Sequence, residues 1–135
     1  DDKVIKPGLY ALNLNDGSIA WSFYTTPDCT GDRKTRMPGC QRLYGLSAAP
    51  SVIGEYVVAG GLDGMLYVLD RKTGALKWKY DTAQTYQGVN GVAGNGGSID
   101  AASIIATHGM LILNSGHGMF GQQPGNMMIA LKPKK

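Results

Sequence analysis

An all-β fold is predicted for this chain, and three observations predict it. Glycine is abundant, at 20 of 135 residues, and separates short runs of Val, Ile, Leu and Tyr, the pattern of short strands joined by tight turns. No window carries the roughly 12 residues of helical periodicity that an amphipathic helix needs. Two stretches, Gly8–Phe23 (GLYALNLNDGSIAWSF) and Gly64–Tyr80 (GMLYVLDRKTGALKWKY), write one hairpin twice. Leu9-Tyr10 returns as Leu66-Tyr67, Gly17 as Gly74 and Trp21 as Trp78, each after a step of 57 residues.

A repeat of this length, built of strands with a Trp near the end, points to the blades of a β-propeller. The opening hairpin supplies the third and fourth strands of one blade, within residues 1–24. Residues 47–82 read as a complete four-stranded antiparallel blade. SAAPSVI turns at Gly54-Glu55 into YVVAGG; MLYVLD follows and turns through Arg71–Gly74 into ALKWKYD. Residues 98–135 supply three strands of a further blade, DAASIIAT, MLILNSG and NMMIALK. The expectation is therefore about nine strands, arranged two, four and three. Propellers close with roughly 4–8 blades of four strands, and each repeat needs a neighbour to cover its apolar face. Nine strands are too few, and whole blades would first arise from four copies, at nine blades. The chain, which opens Asp1-Asp2-Lys3 without Met or leader, is expected to be the C-terminal part of one larger propeller domain.

Composition excludes other classes. No run approaches the ~20 apolar residues of a membrane span. The net charge of +3 is small, and its positives sit on a turn (Arg71, Lys72), in one loop (Arg33, Lys34, Arg36) and in the tail (Lys132, Lys134, Lys135). They read as a solubilising surface, because no RNA-binding motif or recognition helix accompanies them. No Ser-His-Asp order, P-loop or dinucleotide fingerprint is present.

Antiparallel strands send alternate connectors to opposite faces. The turns at Asn15–Gly17, Gly54-Glu55, Arg71–Gly74 and His108-Gly109 are short and share one face. The connectors Thr25–Leu46, Ala83–Ser98 and Gly116–Gly125 are long and share the other, where a rigid scaffold tolerates functional loops. On that face the start of each innermost strand lies nearest the propeller axis. Asp100, in NGGSID, is placed to present a carboxylate there, with Gly96 and Gly97 allowing close backbone approach. The alternative is an Asp that caps its own turn.

The units LYALNLNDGSIAWSF and LYVLDRKTGALKWKYDT resemble the repeat of quinoprotein propellers, a signal shared with the outer-membrane assembly lipoprotein and other non-catalytic propellers. A more specific set runs from Asp28 to Leu131: CTGDRKTRMPGCQ, SAAPSVIGEYVVAGGLDGMLYVLD and VNGVAGNGGSIDAASIIATHGMLILNSGHGMFGQQPGNMMIAL. In order and spacing it resembles the C-terminal portion of the polyvinyl-alcohol dehydrogenases, periplasmic quinoproteins. The resemblance implies oxidation of secondary alcohols or polyvinyl alcohol with pyrroloquinoline quinone (PQQ), usually with calcium, and transfer of electrons to a cytochrome c. No CxxCH haem motif is written here. The competing implication is a non-catalytic propeller scaffold for protein–protein interaction.

Under the resemblance, Asp100 would be the general base that takes the alcohol proton while a quinone carbonyl accepts hydride. Asn90, in GVNG, is either a polar contact to the cofactor or a turn residue. Gly97, Ser98 and His117, on the same loop-rich face, are further candidate cofactor contacts, His117 otherwise being an exposed loop residue. His108 falls in a tight turn of the plain face, where exposure is expected. Two distant histidines without a carboxylate cluster do not make a transition-metal site, and no metal ligand is assigned. Trp21 and Trp78 read as blade-packing residues, as do Met119, Phe120, Met127 and Met128.

Cys29 and Cys40 are the only cysteines, 11 positions apart in one polar connector. TGDRKTRMPG between them cannot bury enough apolar surface to order itself, and a disulfide would supply that order. The rivals are a metal site, for which no His is near, and two free thiols. A disulfide fits an oxidising compartment, the periplasm or the exterior.

Overall fold

A computed structural model describes residues 6–134 of the chain. Its elements are strands, apart from one helical turn, α1 (Arg33–Arg36). In chain order the strands are β1 (Gly8–Leu12), β2 (Ile19–Tyr24), β3 (Ser51–Ile53), β4 (Tyr56–Gly60), β5 (Met65–Asp70), β6 (Leu76–Asp81), β7 (Thr85–Gln87), β8 (Ala93–Asn95), β9 (Ile104–Thr107), β10 (Met110–Ser115) and β11 (Met127–Leu131). All pairings are antiparallel, and they make four sheets: β1-β2, β3-β4-β5-β6, β7-β8 and β9-β10-β11.

The two, four and three strands read from the repeat are present in that order. The β7-β8 hairpin is additional and corrects the reading of residues 83–98 as a plain loop. Each arm is only three residues long, too short to show a period, although Asn90-Gly91 at its tip is a hairpin turn signal. Two first strands are shorter than expected. Pro50, which has no N–H to give a ladder, precedes β3. Before β9, Ala101 adopts φ 59° and its N–H is taken by the Asp100 carboxylate at 2.7 Å, so pairing starts only at Ile104. Asp100 thus sits on the bend before the strand.

The repeated hairpins share a backbone device. Gly17 and Gly74 both adopt φ 71°, a left-handed conformation that a Cβ disfavours. Both hairpins also shift register, between Ala11 and Leu12 and between Val68 and Leu69. An extra residue at this place bends the strand and increases its twist.

The sheets pack face to face in chain order. Leu9, Trp21 and Phe23 of the first sheet cover Met65, Tyr67 and Leu69 of the second, with the Phe23 and Tyr67 rings edge to face at 5.3 Å. On the other side Val58 and Leu66, with Val68 and Tyr80 at the margin, pack against Ile99, Ile104, Leu113 and Ile129. The alternation that sends Leu66 to one neighbour and Tyr67 to the other is the strand period of two. A middle blade, apolar on both faces, results.

The expected packing of the Met and Phe side chains needs correction. Met119, Phe120 and Met128 are exposed, and Met127 is half-buried. The loop holding Met119 and Phe120 turns outward through Gly121, φ 83°, carrying both side chains away from the sheet beneath.

Candidate functional site

The long connectors meet on one face. Leu62 N–H donates to the Gly45 carbonyl (2.9 Å), and Ile99 N–H to the Gly61 carbonyl (3.0 Å). The Ser98 carbonyl accepts from both Gly116 N–H (2.8 Å) and His117 N–H (3.0 Å), and Ser98 N–H donates to Gln123 (2.9 Å). The connector after β2, the β4-β5 turn, the connector after β8 and the β10-β11 loop are therefore stitched together here without forming a common sheet.

The loop after β2 is closed by the Cys29–Cys40 disulfide, with Cα atoms 5.5 Å apart. The bond holds α1 against the middle blade, where Met37 and Cys40 pack on Ala83. From α1 the Arg33 side chain runs into the protein. Its Nη2 donates to the Asp63 carbonyl (3.0 Å) and carboxylate (3.1 Å), and Nε donates to the Asp28 carbonyl (3.1 Å). Its Nη1 lies 2.7 Å from Asp81 Oδ1 outside hydrogen-bonding alignment, an ion pair more than a hydrogen bond. Arg36 pairs with the other Asp81 oxygen at 2.9 Å and with Asp32.

Arg33 is thus buried and Arg36 half-buried, against the expectation that this loop's charges are solubilising. Composition counts charges without showing where they point. Two carboxylates that the sequence places far apart, Asp63 in the β4-β5 turn and Asp81 at the end of β6, converge on one guanidinium. Burial pushes the Asp63 carboxyl above its ordinary value, although the Met65 N–H and Arg33 pull against it. The signal available in sequence was a pair of arginines inside a disulfide loop otherwise short of apolar anchors.

Asp100 lies on the same face, half-buried. Its Oδ2 accepts from the Gln122 side-chain amide at 2.8 Å, and its Oδ1 accepts the Ala101 N–H. Partial burial alone would raise this carboxyl. Hydrogen bonds from the Ser47 hydroxyl, Ala101 and Gln122, together with the nearby His117, outweigh that and hold it below its ordinary value. Asp100, Ser47, His117 and Gln122, drawn from three loops, form a polar group on this face. Ser47 and Gln122 were not singled out in the sequence, because neither residue type carries a spacing signal of its own.

The remaining candidates are placed as follows. Asn90 is exposed at the tip of the β7-β8 hairpin, its side-chain oxygen accepting the Val92 N–H at 3.1 Å. Gly97 and Ser98 are buried. Gly97 N–H donates to the Ser115 hydroxyl (2.9 Å), and a Cβ at Gly97 would run into the carbonyls of Gln123 and Pro124. The Ser98 hydroxyl bonds the Leu62 carbonyl and accepts the Gln123 N–H. His117 is half-exposed beside Asp100. His108 is exposed in its turn on the opposite face, Nδ1 2.8 Å from the Thr107 hydroxyl. Among the described residues no group of three His, Cys, Asp or Glu could hold a metal ion, and no helix is long and apolar enough to cross a membrane.

With this geometry in place, comparison with known proteins identifies the relatives. Over 121 residues, 89% of its length, the chain is 32% identical to a protein of Sphingopyxis sp. (strain 113P3), and over 136 aligned positions it is 31% identical to one of Pseudomonas sp. Both relatives are polyvinylalcohol dehydrogenases. A third relative, 32% identical over 80 residues, is the dehydrogenase subunit of the quinone alcohol dehydrogenase of Gluconobacter oxydans (strain 621H). The chain spans 18% and 20% of the two polyvinylalcohol dehydrogenases and 10% of the Gluconobacter subunit. No protein-family model matches it. The crystal structure of BamB from Moraxella catarrhalis superposes with a TM-score of 0.53 at 22% identity, covering 82% of this chain and 29% of that one. The fold is that of a β-propeller, and the chain is a homologue of polyvinylalcohol dehydrogenases over most of its length.

Proposed function

We propose that this chain is part of a PQQ-dependent alcohol dehydrogenase that oxidises secondary alcohols or polyvinyl alcohol and passes the electrons to a cytochrome c. The observation that carries the reading is the 32% identity to a polyvinylalcohol dehydrogenase along 89% of the chain. A quinone alcohol dehydrogenase subunit among the relatives supports the same redox class. In this reading residues 1–135 are a piece of one propeller domain, with one blade ending within 1–24, a complete blade over 47–82 and most of another over 98–135. Their partners are the remaining blades. A periplasmic or secreted location is supported by the Cys29–Cys40 disulfide, since such bonds persist in oxidising compartments.

Calcium does not fit the residues present. Asp63 and Asp81, the two carboxylates that converge at the loop-rich face, are held by Arg33 and Arg36, and no group of three ligands, Asp100 included, forms there among the described residues. An aromatic floor for a planar cofactor does not fit the loop-rich face either: Trp21 packs between the first two sheets, whereas Trp78, expected to pack likewise, is 45% exposed and borders a cavity lined by the His108-Gly109 turn, on the opposite face. Both groups would be held mainly by other parts of the longer protein. Asn90, Gly97, Ser98 and His117 remain the proposed contributions of this piece to the cofactor side. Asp100 is the proposed base for the alcohol proton. It lies half-buried on the loop-rich face, and its hydrogen-bond partners Gln122, Ser47 and the Ala101 N–H are neutral, with no Lys or Arg paired to it.

The test uses the full-length protein reconstituted with PQQ and calcium. It should reduce an artificial electron acceptor when given a secondary alcohol. Absence of turnover together with absence of PQQ binding in an absorbance titration would instead support a non-catalytic propeller scaffold for protein–protein interaction.

A further inference from the structure

The loop between β10 and β11 exposes two large apolar side chains next to each other. Met119 is 72% and Phe120 82% exposed. One exposed apolar residue is ordinary on a protein surface, whereas a contiguous pair beside a functional group marks a contact. The loop that carries them has a fixed base. Gly125 N–H donates to the Gly116 carbonyl at 3.0 Å, and a Cβ on Gly116 would strike the Gly125 backbone. Both ends are also held by Ser98, whose carbonyl accepts the Gly116 and His117 N–H groups and whose hydroxyl accepts the Gln123 N–H. A base pinned in this way holds the tip, with Met119 and Phe120, out in solvent.

The tip is tied to the carboxylate proposed as base. The Gln122 side chain accepts the Phe120 N–H on its oxygen and donates from its nitrogen to Asp100 Oδ2 at 2.8 Å. One amide group therefore bridges the backbone of the apolar tip and the carboxylate. An apolar pair beside a proton acceptor, at a separation set by a single amide, suits a ligand in which hydrocarbon and hydroxyl follow each other closely.

We infer that Met119 and Phe120 are specificity-determining residues: they form an apolar rest for the methylene groups that flank the hydroxyl taken up by Asp100, and so favour a long chain of alternating methylene and hydroxymethine units over a small secondary alcohol. The unbranched thioether adapts to an irregular chain, and the phenyl ring offers a flat apolar area. The Gln122 amide keeps this rest and the carboxylate in fixed relation, so that a chain lying on Phe120 presents a hydroxyl to Asp100. The role of Asp100 rests on the alcohol dehydrogenase reading; the contact between loop and polymer can be read without turnover.

Two measurements on the full-length protein keep these apart. The first needs no cofactor. Peroxide converts exposed Met to its sulfoxide, and susceptibility follows exposure, so polyvinyl alcohol should slow oxidation of Met119 by about threefold or more. Polyethylene glycol of equal mass, which carries no hydroxyls along its chain, should not slow it. Peptide mass spectrometry reads the rate. The second measurement is kinetic, with PQQ and calcium added. The double variant Met119→Ser, Phe120→Ser keeps the backbone N–H that Gln122 binds. It should lower kcat/KM for polyvinyl alcohol, relative to that for a small secondary alcohol, by about tenfold and chiefly through KM, since a lost methylene contact is worth about that much. Phe120→Leu should recover most of this ratio. Protection of Met119 by the polymer in a protein that turns over no alcohol upholds the contact and removes the dehydrogenase reading. Turnover with Met119 unprotected and the ratio unchanged overturns the inference and leaves that reading in place. Slow oxidation of Met119 before any polymer is added shows a tip covered by protein, and overturns it. Protection by a cytochrome c and not by the polymer overturns it in favour of an electron-transfer interface.

Discussion

The ring of Trp21 rests where Gly74 has no side chain, 53 positions further along the chain. Gly74 therefore meets two demands at once: a backbone φ of 71° and room for an indole from the preceding blade. Gly17, its counterpart in the repeat, has the same φ but nothing within 4 Å of where a Cβ would stand. The pair is an internal control. Gly17→Ala should cost only the left-handed strain, about 1–2 kcal/mol. Gly74→Ala should cost that plus the displacement of Trp21 and loss of its bond to Arg71, about 1 kcal/mol more. Equal shifts in urea midpoint for the two variants would show that Trp21 adapts without loss.

Arg33 is the charged side chain whose removal should cost most. Arg33→Met leaves Asp63, 1% exposed, without its cation, and breaking a buried pair in this way costs about 3–5 kcal/mol. The pH dependence has a definite sign. Because burial raises the Asp63 carboxyl, the folded chain keeps a proton that the unfolded chain releases near pH 4. Stability contributed by that proton is full below pH 4 and is lost as pH rises to the raised value. Removing Arg33 takes away an opposing influence and extends that window upward. The variant should therefore be less destabilised at about pH 5 than at about pH 8. Parallel stability curves for variant and parent across this range would contradict the assignment.

How far these features were legible in the sequence depended on whether they are local or convergent. The 57-residue step between Trp21 and Trp78 and the alternation around Gly17 and Gly74 are written in contiguous residues, and the hairpins followed directly. The disulfide was legible because Cys29 and Cys40 had no other partner. The β7-β8 hairpin was not, since Thr85–Gln87 and Ala93–Asn95 are held partly from outside. Asn126 accepts the Asn95 N–H through its side chain and donates its own N–H to the Asn95 carbonyl. The Arg33–Asp63–Asp81 cluster and the Asp100–Gln122 pair join residues 18 to 48 positions apart, and only tertiary folding brings them together. The position of Asp100 on the loop-rich face was legible from the strand order, but its hydrogen-bond donors were not.

The Cys29–Cys40 bond should contribute stability mainly by restricting the unfolded chain. For a closure spanning 11 positions the loop-entropy relation gives about 3 kcal/mol. Reduction should lower the unfolding midpoint accordingly and loosen α1, with Arg33 losing its fixed approach to Asp63. Intact mass should rise by two hydrogens on reduction, and an alkylating reagent should add only afterwards. Two thiols alkylated in the native, air-exposed protein would remove both the bond and the support it lends to a periplasmic location.

Asp100 should separate activity from stability. In the full-length protein Asp100→Asn is expected to lower turnover by about 10²–10⁴-fold, the usual loss when a general base is removed. The fold should tolerate it, because an Asn oxygen can still accept the Ala101 N–H that the carboxylate now accepts at 2.7 Å. Its depressed pKa fixes the sign of a second test. Asp100 contributes stability that is present above its ordinary value of 3.8 and is lost as pH falls through the folded value. Asn has no such titration, so any stability gap between variant and parent should close in strong acid and stay constant from about pH 5 upward. The Gln122 amide provides the third readout. Gln122→Leu removes a donor that favours the ionised form, so the acid limb of kcat/KM should move to higher pH if Asp100 is the base. A limb that stays fixed, or a loss of activity in Asp100→Asn matched by an equal loss of stability, would make Asp100 the cap of its own bend and leave the proton to another group.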